Sequence, residues 1–230
     1  MYTDDFYEVL MERHDADRIV ERASRQLAEE AAARRKFREW LTPSVKAEFI
    51  GGEIIMHSPA KRRHLRSSGS LHTILNTYVE HHEIGEIFVE KALVEVGRND
   101  FEPDLAYWTS EQTQDWTDDT DVFPPPTLVV EILSKSTAGR DRGVKFESYL
   151  TQYVPEYWIV DPVRELIEQY TLRLDKSDTP HYDLIDRFHG ANEISCRVIA
   201  GLHFPAAAAF SKRQALIWVR QLLAAQPPQQ

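Results

Sequence analysis

Two acidic residues and one lysine stand where they could form a cation-dependent catalytic site. Asp104 follows Pro103 at the start of a β-forming segment, and Glu131 lies inside the apolar run 128–133. A carboxylate in such a run is costly to bury unless a metal ion or a lysine compensates its charge. Glu131 is therefore the most informative residue of the chain, and Lys145, in the next predicted helix, is a candidate partner.

Hydrolysis of a phosphodiester is the chemistry that these side chains would fit. A hard divalent cation such as Mg²⁺ binds carboxylate oxygens and retains waters. It polarises a phosphate and acidifies a bound water, while a lysine offsets the developing negative charge. Adjacent strands lie about 4.8 Å apart, so Asp104 and Glu131 can share an ion if they are in register on one face. Lys145, at the edge of a helical apolar stripe and neither buried nor fully outward, would reach them along the sheet.

Each of these residues also has a purely structural interpretation. Asp104 can cap a strand or a turn, and Glu131 can belong to a structural ion pair. Lys145 can be a solvated helix residue that pairs with Asp141 four positions earlier.

The elements that must position these residues alternate between helical and strand-like patterns. Residues 4 to about 41 predict one helix with a narrow apolar stripe, which Thr42-Pro43 ends. Residues 47–56 predict two strands that turn at Gly51-Gly52, because tandem glycine supplies the positive φ of a tight hairpin. Further helices are predicted over 62–81, 140–153 and 211–225, and further strands over 86–96, 101–108, 127–133, 156–161, 164–173 and 182–188.

Composition is that of an ordinary globular protein. The 230 residues are 42% hydrophobic and 28% charged, enough for one sizeable domain with an appendage. No run approaches the ~20 apolar residues of a membrane span, and the acidic start lacks a signal-peptide pattern. The single cysteine, Cys196, can form no internal disulfide. We therefore expect a cytoplasmic protein that does not associate with membranes.

Charge is distributed unevenly along the chain. The net charge of -10 argues against a uniformly basic nucleic-acid-binding surface. Residues 95–121 contain nine acidic residues and one basic residue, whereas residues 61–66 form a compact basic run. An acidic metal site beside a phosphate-contacting segment fits this distribution, and so do two solvated surface patches.

Six short motifs occur in a fixed order along most of the chain. They are Glu48-Phe49-Ile50-Gly51-Gly52-Glu53, His64, Pro103-Asp104, Val-Glu-Ile-Leu-Ser at 130–134, Asp141 to Lys145, and Glu-Tyr-Trp-Ile-Val-Asp-Pro at 156–162. Each motif alone is weak, but the ordered set is specific. Over roughly residues 43–205 it resembles the Uma-two family of predicted endonucleases, which belongs to the PD-(D/E)XK, or restriction-endonuclease-like, superfamily.

The resemblance implies roles for several residues. Asp104 and Glu131 would be the metal ligands, with Mg²⁺ as the cofactor and Mn²⁺ as a substitute. Glu48 corresponds to an acid near the metal. His64, placed just before a predicted helix whose N-terminal groups can face a phosphate, would be an auxiliary catalytic residue, with a surface histidine as the alternative.

The position of the lysine departs from the general superfamily pattern. That lysine usually stands two residues after the second acid, where this chain has Leu133. In the Uma-two pattern it is displaced to the following helix, which matches Lys145. Tyr153 stands where the family pattern usually has glycine, and we recognise no counterpart in the family for the first 40 residues.

The resemblance also implies a fold and an activity. We expect an α/β (α+β) protein with a restriction-endonuclease-like mixed central β-sheet flanked by helices. Residues 1–42 would form a helical N-terminal extension, 43–225 the nuclease domain and 226–230 a polar tail. The expected function is a metal-dependent DNA endonuclease that uses a metal-activated water.

Two alternatives to this function remain. The chain can be a catalytically silent nucleic-acid-binding or assembly module that retains the fold, or it can hydrolyse another phosphoester at the same site. DNA is the expected partner. The apolar stripes of the N-terminal and C-terminal helices favour a homodimer.

Overall fold

A computed structural model describes residues 2–225 as helices, strands and the loops between them; the predicted polar tail, 226–230, lies outside the described residues. The helices are α1 (Tyr2–Met11), α2 (Ala16–Trp40), α3 (Arg62–His82), α4 (Ser110–Thr113), α5 (Ala138–Asp141), α6 (Val144–Thr151) and α7 (Lys212–Ala224), with a 3-10 turn over Ala206–Phe210. The strands are β1 (Ala47–Ile50), β2 (Glu53–Met56), β3 (Gly85–Val89), β4 (Leu93–Val96), β5 (Asn99–Phe101), β6 (Leu105–Thr109), β7 (Val122–Phe123), β8 (Leu128–Ile132), β9 (Glu156–Asp161), β10 (Leu166–Leu174), β11 (Pro180–His189), β12 (Glu193–Ser195) and β13 (His203–Pro205).

Two mixed sheets form the centre of the molecule. The six-stranded sheet has the order β11-β10-β9-β8-β6-β3, and only its β8–β9 pair is parallel. The five-stranded sheet has the order β2-β1-β5-β4-β7. Strands β12 and β13 make a separate hairpin. The predicted fold class, mixed sheets flanked by helices, is confirmed.

The hydrophobic core divides on the two faces of the six-stranded sheet. One cluster contains Leu105 and Val130 together with residues of α3 and α7. The other contains Ala106 and Val129 together with residues of α6 and the five-stranded sheet. Strand β8 is buried along its whole length, which explains why its sequence is continuously apolar apart from Glu131.

Two predicted strands are each divided between the two sheets. The segment 86–96 breaks after Val89, where Glu90 has a φ of 57° and the chain leaves the six-stranded sheet. The segment 101–108 breaks at Pro103, which has no N–H to continue a ladder. The two crossings lie side by side, since Glu90 N donates to the Asp104 carbonyl at 3.1 Å. Apolar alternation cannot reveal such a change of sheet, because it persists on both sides of the crossing.

Two predicted helices are also divided. The N-terminal helix breaks at residues 12–15 into α1 and α2. The helix predicted over 140–153 becomes α5 and α6, with Gly143 between them. A Cβ at Gly143 would lie only 2.8 Å from the Gly139 carbonyl oxygen, so this close turn requires glycine. Within residues 2–225, no helix is both long and apolar enough to cross a membrane.

The C-terminal half of α2 packs on the five-stranded sheet. Phe37 is buried against Phe49 of β1, with ring centroids 5.8 Å apart. Arg38 binds both Asp100 carboxylate oxygens, at 2.8 and 2.6 Å, and contacts Glu95. This part of the predicted extension therefore contacts the strand that carries Glu48.

Candidate active site

Three carboxylates surround the ammonium group of Lys145. Its Nζ lies 2.6 Å from Glu48 Oε1, 3.0 Å from Glu131 Oε1 and 3.9 Å from Asp141 Oδ1. Lys145 is only 2% exposed. The expectation that it lies at the edge of the helical stripe, neither buried nor fully outward, is therefore wrong: α6 directs it inward, where the carboxylates compensate its charge.

Strand register brings Asp104 to the same face of the sheet as Glu131. Strands β6 and β8 are antiparallel, with Leu105 opposite Val130 and Ala106 opposite Val129. Extending this register by one residue places Asp104 opposite Glu131. Because side chains alternate along a strand, both acids point to the face that carries Ala106 and Val129, which is also the face of Lys145.

Asp104 is held by groups from three segments. Its Oδ2 accepts a hydrogen bond from Ile132 N at 2.7 Å, and its Oδ1 lies 3.1 Å from His64 Nε2. Lys46 Nζ is 4.0 Å from the same oxygen. At 8% exposed, Asp104 is more exposed than Glu48, Glu131 or Asp141, so it marks the side from which a ligand can approach.

Glu48 joins the five-stranded sheet to this cluster. Its Oε1 accepts from Glu102 N at 3.0 Å in addition to Lys145, and its Oε2 lies 3.1 Å from His57 Nε2. Burial favours a raised pKa for Glu48, but Lys145 and His57 outweigh this effect and hold the pKa at about 2. Glu48 is thus a buried, ionised carboxylate.

The remaining two acids, Glu131 and Asp141, are incompletely compensated by Lys145. Burial raises the pKa of Asp141 to about 6 and raises the pKa of Glu131 well above its usual value, although Lys145 opposes both shifts. Neither carboxylate oxygen of Asp141 has a hydrogen-bond partner among the described residues. One ammonium therefore does not neutralise the acids gathered here, and a further cation would be stabilised.

His64 lies in the first turn of α3, which begins at Arg62. The helix predicted over 62–81 already contains this position, so the placement of His64 just before the helix is wrong. Burial tends to lower the pKa of His64, but Asp104 outweighs burial and the net shift is upward. The imidazole is thus positioned at the mouth of the site, in contact with its most exposed acid.

The structure brings the five predicted residues into one cluster and adds others that the sequence analysis did not select. His57 and Lys46 follow from the hairpin register: Ala47 pairs with Met56, and His57 N donates to the Lys46 carbonyl. Counting the strand register outward from the Gly51-Gly52 turn would have placed His57 and Lys46 near Glu48. Lys91, 3.4 Å from Glu102, reaches the site only because the chain changes sheets there, and no local pattern signals it.

Comparison with known proteins identifies the family. The sequence model of the Uma2 family, described as "Putative restriction endonuclease", matches residues 34–207. The chain belongs to the Uma2 family. The Uma2 match includes every residue of the cluster around Lys145 and also the part of α2 that packs on β1. The expectation that the first 40 residues have no counterpart in the family is therefore wrong for residues 34–40.

Two individual proteins are similar to this Uma2 chain. The "Uncharacterized protein sll1609" of Synechocystis sp. is 32% identical over 129 residues, which are 54% of this chain and 71% of the relative. A crystal structure of "a putative nuclease belonging to DUF820" from Anabaena variabilis ATCC 29413 superposes with a TM-score of 0.63 at 17% identity. That superposition covers 76% of this chain and 94% of the Anabaena chain, and it supports the fold.

Proposed function

We propose that this Uma2 protein is a metal-dependent DNA endonuclease that hydrolyses phosphodiester bonds by attack of water. The observation that carries the proposal is the convergence of Glu48, Glu131 and Asp141 on Lys145, with Asp104 in register beside Glu131. The family description, which names restriction endonucleases, agrees with this chemistry.

The donor set suits a hard divalent cation. Asp104 and Glu131 offer carboxylate oxygens, and the surrounding acids leave an excess of negative charge. Among the described residues, no three Asp, Glu, His or Cys side chains are arranged so that they could together hold a metal ion. Mg²⁺ needs no such cage, because it commonly binds through one or two carboxylates and retains waters. When bound by Asp104 and Glu131, Mg²⁺ or Mn²⁺ would polarise the phosphate and acidify a water.

The other side chains would orient and balance this chemistry. Lys145 holds Glu131 in place and offsets negative charge near the scissile phosphate. Glu48, on the five-stranded sheet, holds the Lys145 ammonium in position. His64 contacts Asp104 at the mouth, where it can donate a proton or a hydrogen bond to a phosphate oxygen.

A cleavage assay with a parallel binding measurement tests the proposal. Wild-type protein should cut mixed DNA substrates with Mg²⁺ or Mn²⁺ and stop when a chelator is added. Asp104→Asn keeps an oxygen that can accept from Ile132 N, so it should fold normally, yet lose cleavage and calorimetric Mn²⁺ binding. Asp115→Asn, at an exposed acid outside the cluster, is the matched control. Normal cleavage by Asp104→Asn would refute the proposed metal site.

One observation favours the second candidate, a silent nucleic-acid-binding or assembly module. Lys145 and Glu131 are each 2% exposed and Glu48 is 0% exposed, so the cluster is closed apart from Asp104. A silent module would bind DNA without cutting it at any divalent concentration. Cleavage of a different phosphoester in the absence of DNA cleavage would instead identify the third candidate.

We further propose that two copies of the chain pair through the N-terminal helices. Exposed apolar side chains on α1 and α2 support this pairing; they are Phe6, Val9, Met11, Val20 and Leu27. Light scattering at tens of micromolar should give a dimer mass, and Phe6→Asp combined with Met11→Asp should give a monomer. Val163→Asp, at an exposed apolar residue elsewhere, should stay dimeric. A monomeric wild type would refute the pairing.

A further inference from the structure

A groove of about 730 Å³ lies beside the first turns of α3 and α7. Three basic side chains line it: Arg62 and Arg66 from α3, and Lys212 from α7. Leu65 and Phe210 supply apolar surface, and Glu165 is the acidic member of the lining. The groove is thus basic on two walls in a chain whose net charge is -10.

The three cations are available to a ligand. Arg62 and Arg66 are four residues apart on one helical face, where neighbouring side chains lie about 5–6 Å apart. Lys212 of α7 packs over Gly69 of α3, where a Cβ would lie 3.7 Å from Lys212 Cε. Among the side chains of residues 6–225, none of the three has an ion-pair partner. Unpaired cations held together on two rigid helices favour an anionic partner.

The groove is on the side of the six-stranded sheet that α3 and α7 cover, near the strand ends that also carry the carboxylate cluster. Strands β8 and β9 are parallel, so their carboxyl ends lie together, with Glu131 paired to Ile159. Glu165 follows β9 in the turn to β10, and it lines the groove. The first turns of α3 connect the two places, since His64 contacts Asp104 while Arg62 and Arg66 line the groove.

We propose that this groove binds the phosphodiester backbone of the DNA strand that enters the active site. The proposal rests on the proposed function and adds the path of the substrate. A guanidinium fork matches the geometry of phosphate oxygens, and three contacts fix the strand without reading bases. Leu65, which is 49% exposed between the two arginines, can cover a sugar. Glu165, the acidic residue of the lining, would weaken binding by repulsion.

Fluorescence anisotropy with a labelled DNA duplex tests the proposal, with chelator present so that no cleavage occurs. The triple variant Arg62→Ala, Arg66→Ala, Lys212→Ala should bind roughly one to two orders of magnitude more weakly, equally for unrelated sequences. Its slope of log affinity against log salt should fall by about 1 for each contact removed. Glu165→Gln should tighten binding several-fold. Arg220→Ala, at an exposed residue eight positions further along α7, is the matched control.

The outcomes separate this proposal from the nuclease proposal. If the affinity for DNA and the salt slope are unchanged in the triple variant, the groove does not bind the DNA backbone, even if the wild type cuts DNA normally. A wild type that does not bind DNA at low salt would overturn it as well. Groove-dependent binding by a protein that never cleaves would uphold the groove and refute the nuclease.

Discussion

Lys145 Nζ, on helix α6, lies 2.6 Å from Oε1 of Glu48, a residue of the five-stranded sheet. Both side chains are buried, so the contact joins the five-stranded sheet to α6 through a desolvated charge pair. Breaking a buried pair by removing one partner is strongly destabilising, because the other charge stays buried without compensation. The lysine is consequently both a candidate catalytic residue and a structural one.

Replacement of Lys145 by methionine should abolish DNA cleavage and lower the free energy of unfolding by about 3–5 kcal/mol. The stability loss follows from the acids that remain without a cation. Added Mn²⁺ should therefore raise the melting temperature of Lys145→Met more than that of the wild type. Differential scanning calorimetry with and without Mn²⁺ measures this difference.

The control for that variant is Lys176→Met, at an exposed lysine in the loop between β10 and β11. It should leave stability and cleavage unchanged. Lys145→Arg should rescue poorly, since a planar fork does not fit a closed site that holds a compact ammonium. A Lys145→Met protein that melts like the wild type and cuts DNA would contradict the assigned role.

Glu131→Gln should abolish cleavage while maintaining or increasing stability in the absence of metal. Burial opposes ionisation of Glu131, and a neutral amide keeps an oxygen for Lys145, which retains Glu48 as a counterion. A gain on the order of 1 kcal/mol is expected, typical of functional sites that sacrifice stability. Urea unfolding checks it, and a loss above about 2 kcal/mol would show that Glu131 is chiefly structural.

The docking of α2 should weaken in acid. Burial tends to raise the pKa of Glu95, but hydrogen bonds from Arg38 and Arg34 outweigh it, so the pKa lies below its ordinary value of 4.5. A carboxyl whose pKa is lower in the folded state stabilises above its unfolded pKa, and this contribution disappears as pH falls through the folded value. The wild type should thus exceed Glu95→Gln in stability at pH 7, and the gap should close as pH falls below 4.5.

Chemical unfolding of both proteins across this pH range measures the gap. Glu29→Gln, at an exposed acid of α2 itself, should show no gap at any pH. The stability difference between Glu95→Gln and wild type could instead stay constant down to the acid transition. Ionisation of Glu95 would then contribute nothing to the docking of α2.

Tyr153→Gly should stabilise the protein by about 0.5–1 kcal/mol, because the relief of left-handed strain exceeds the conformational entropy that glycine loses on folding. Tyr153 has a φ of 56° after the end of α6, a left-handed conformation that favours glycine, and its side chain is 54% exposed. Gln152→Gly is the matched control, because Gln152 has a φ of -98° and should gain nothing. Thermal melts compare them, and a lower melting temperature for Tyr153→Gly would mean that the exposed ring contributes packing.

The turn at Tyr153 illustrates how closely the sequence and the structure agree locally. The resemblance implied a glycine turn there, and the chain keeps the left-handed conformation with tyrosine. The hairpin at Gly51-Gly52 and the strands β8 and β9 likewise form where the sequence predicted them. Turn chemistry and apolar periodicity are local properties, so one sequence suffices to read them.

The sequence by itself determined that Asp104 and Glu131 stand in β-forming runs, and that the ordered motifs are those of the Uma2 family. Only the tertiary structure decided that the chain changes sheets at Glu90 and Pro103, and that Lys145 is buried. A prediction from apolar periodicity assigns every lysine to the surface. Whether it can be buried depends on compensating charges, and these come from Glu48, Glu131 and Asp141 on separate elements, which only the folded chain brings to one point.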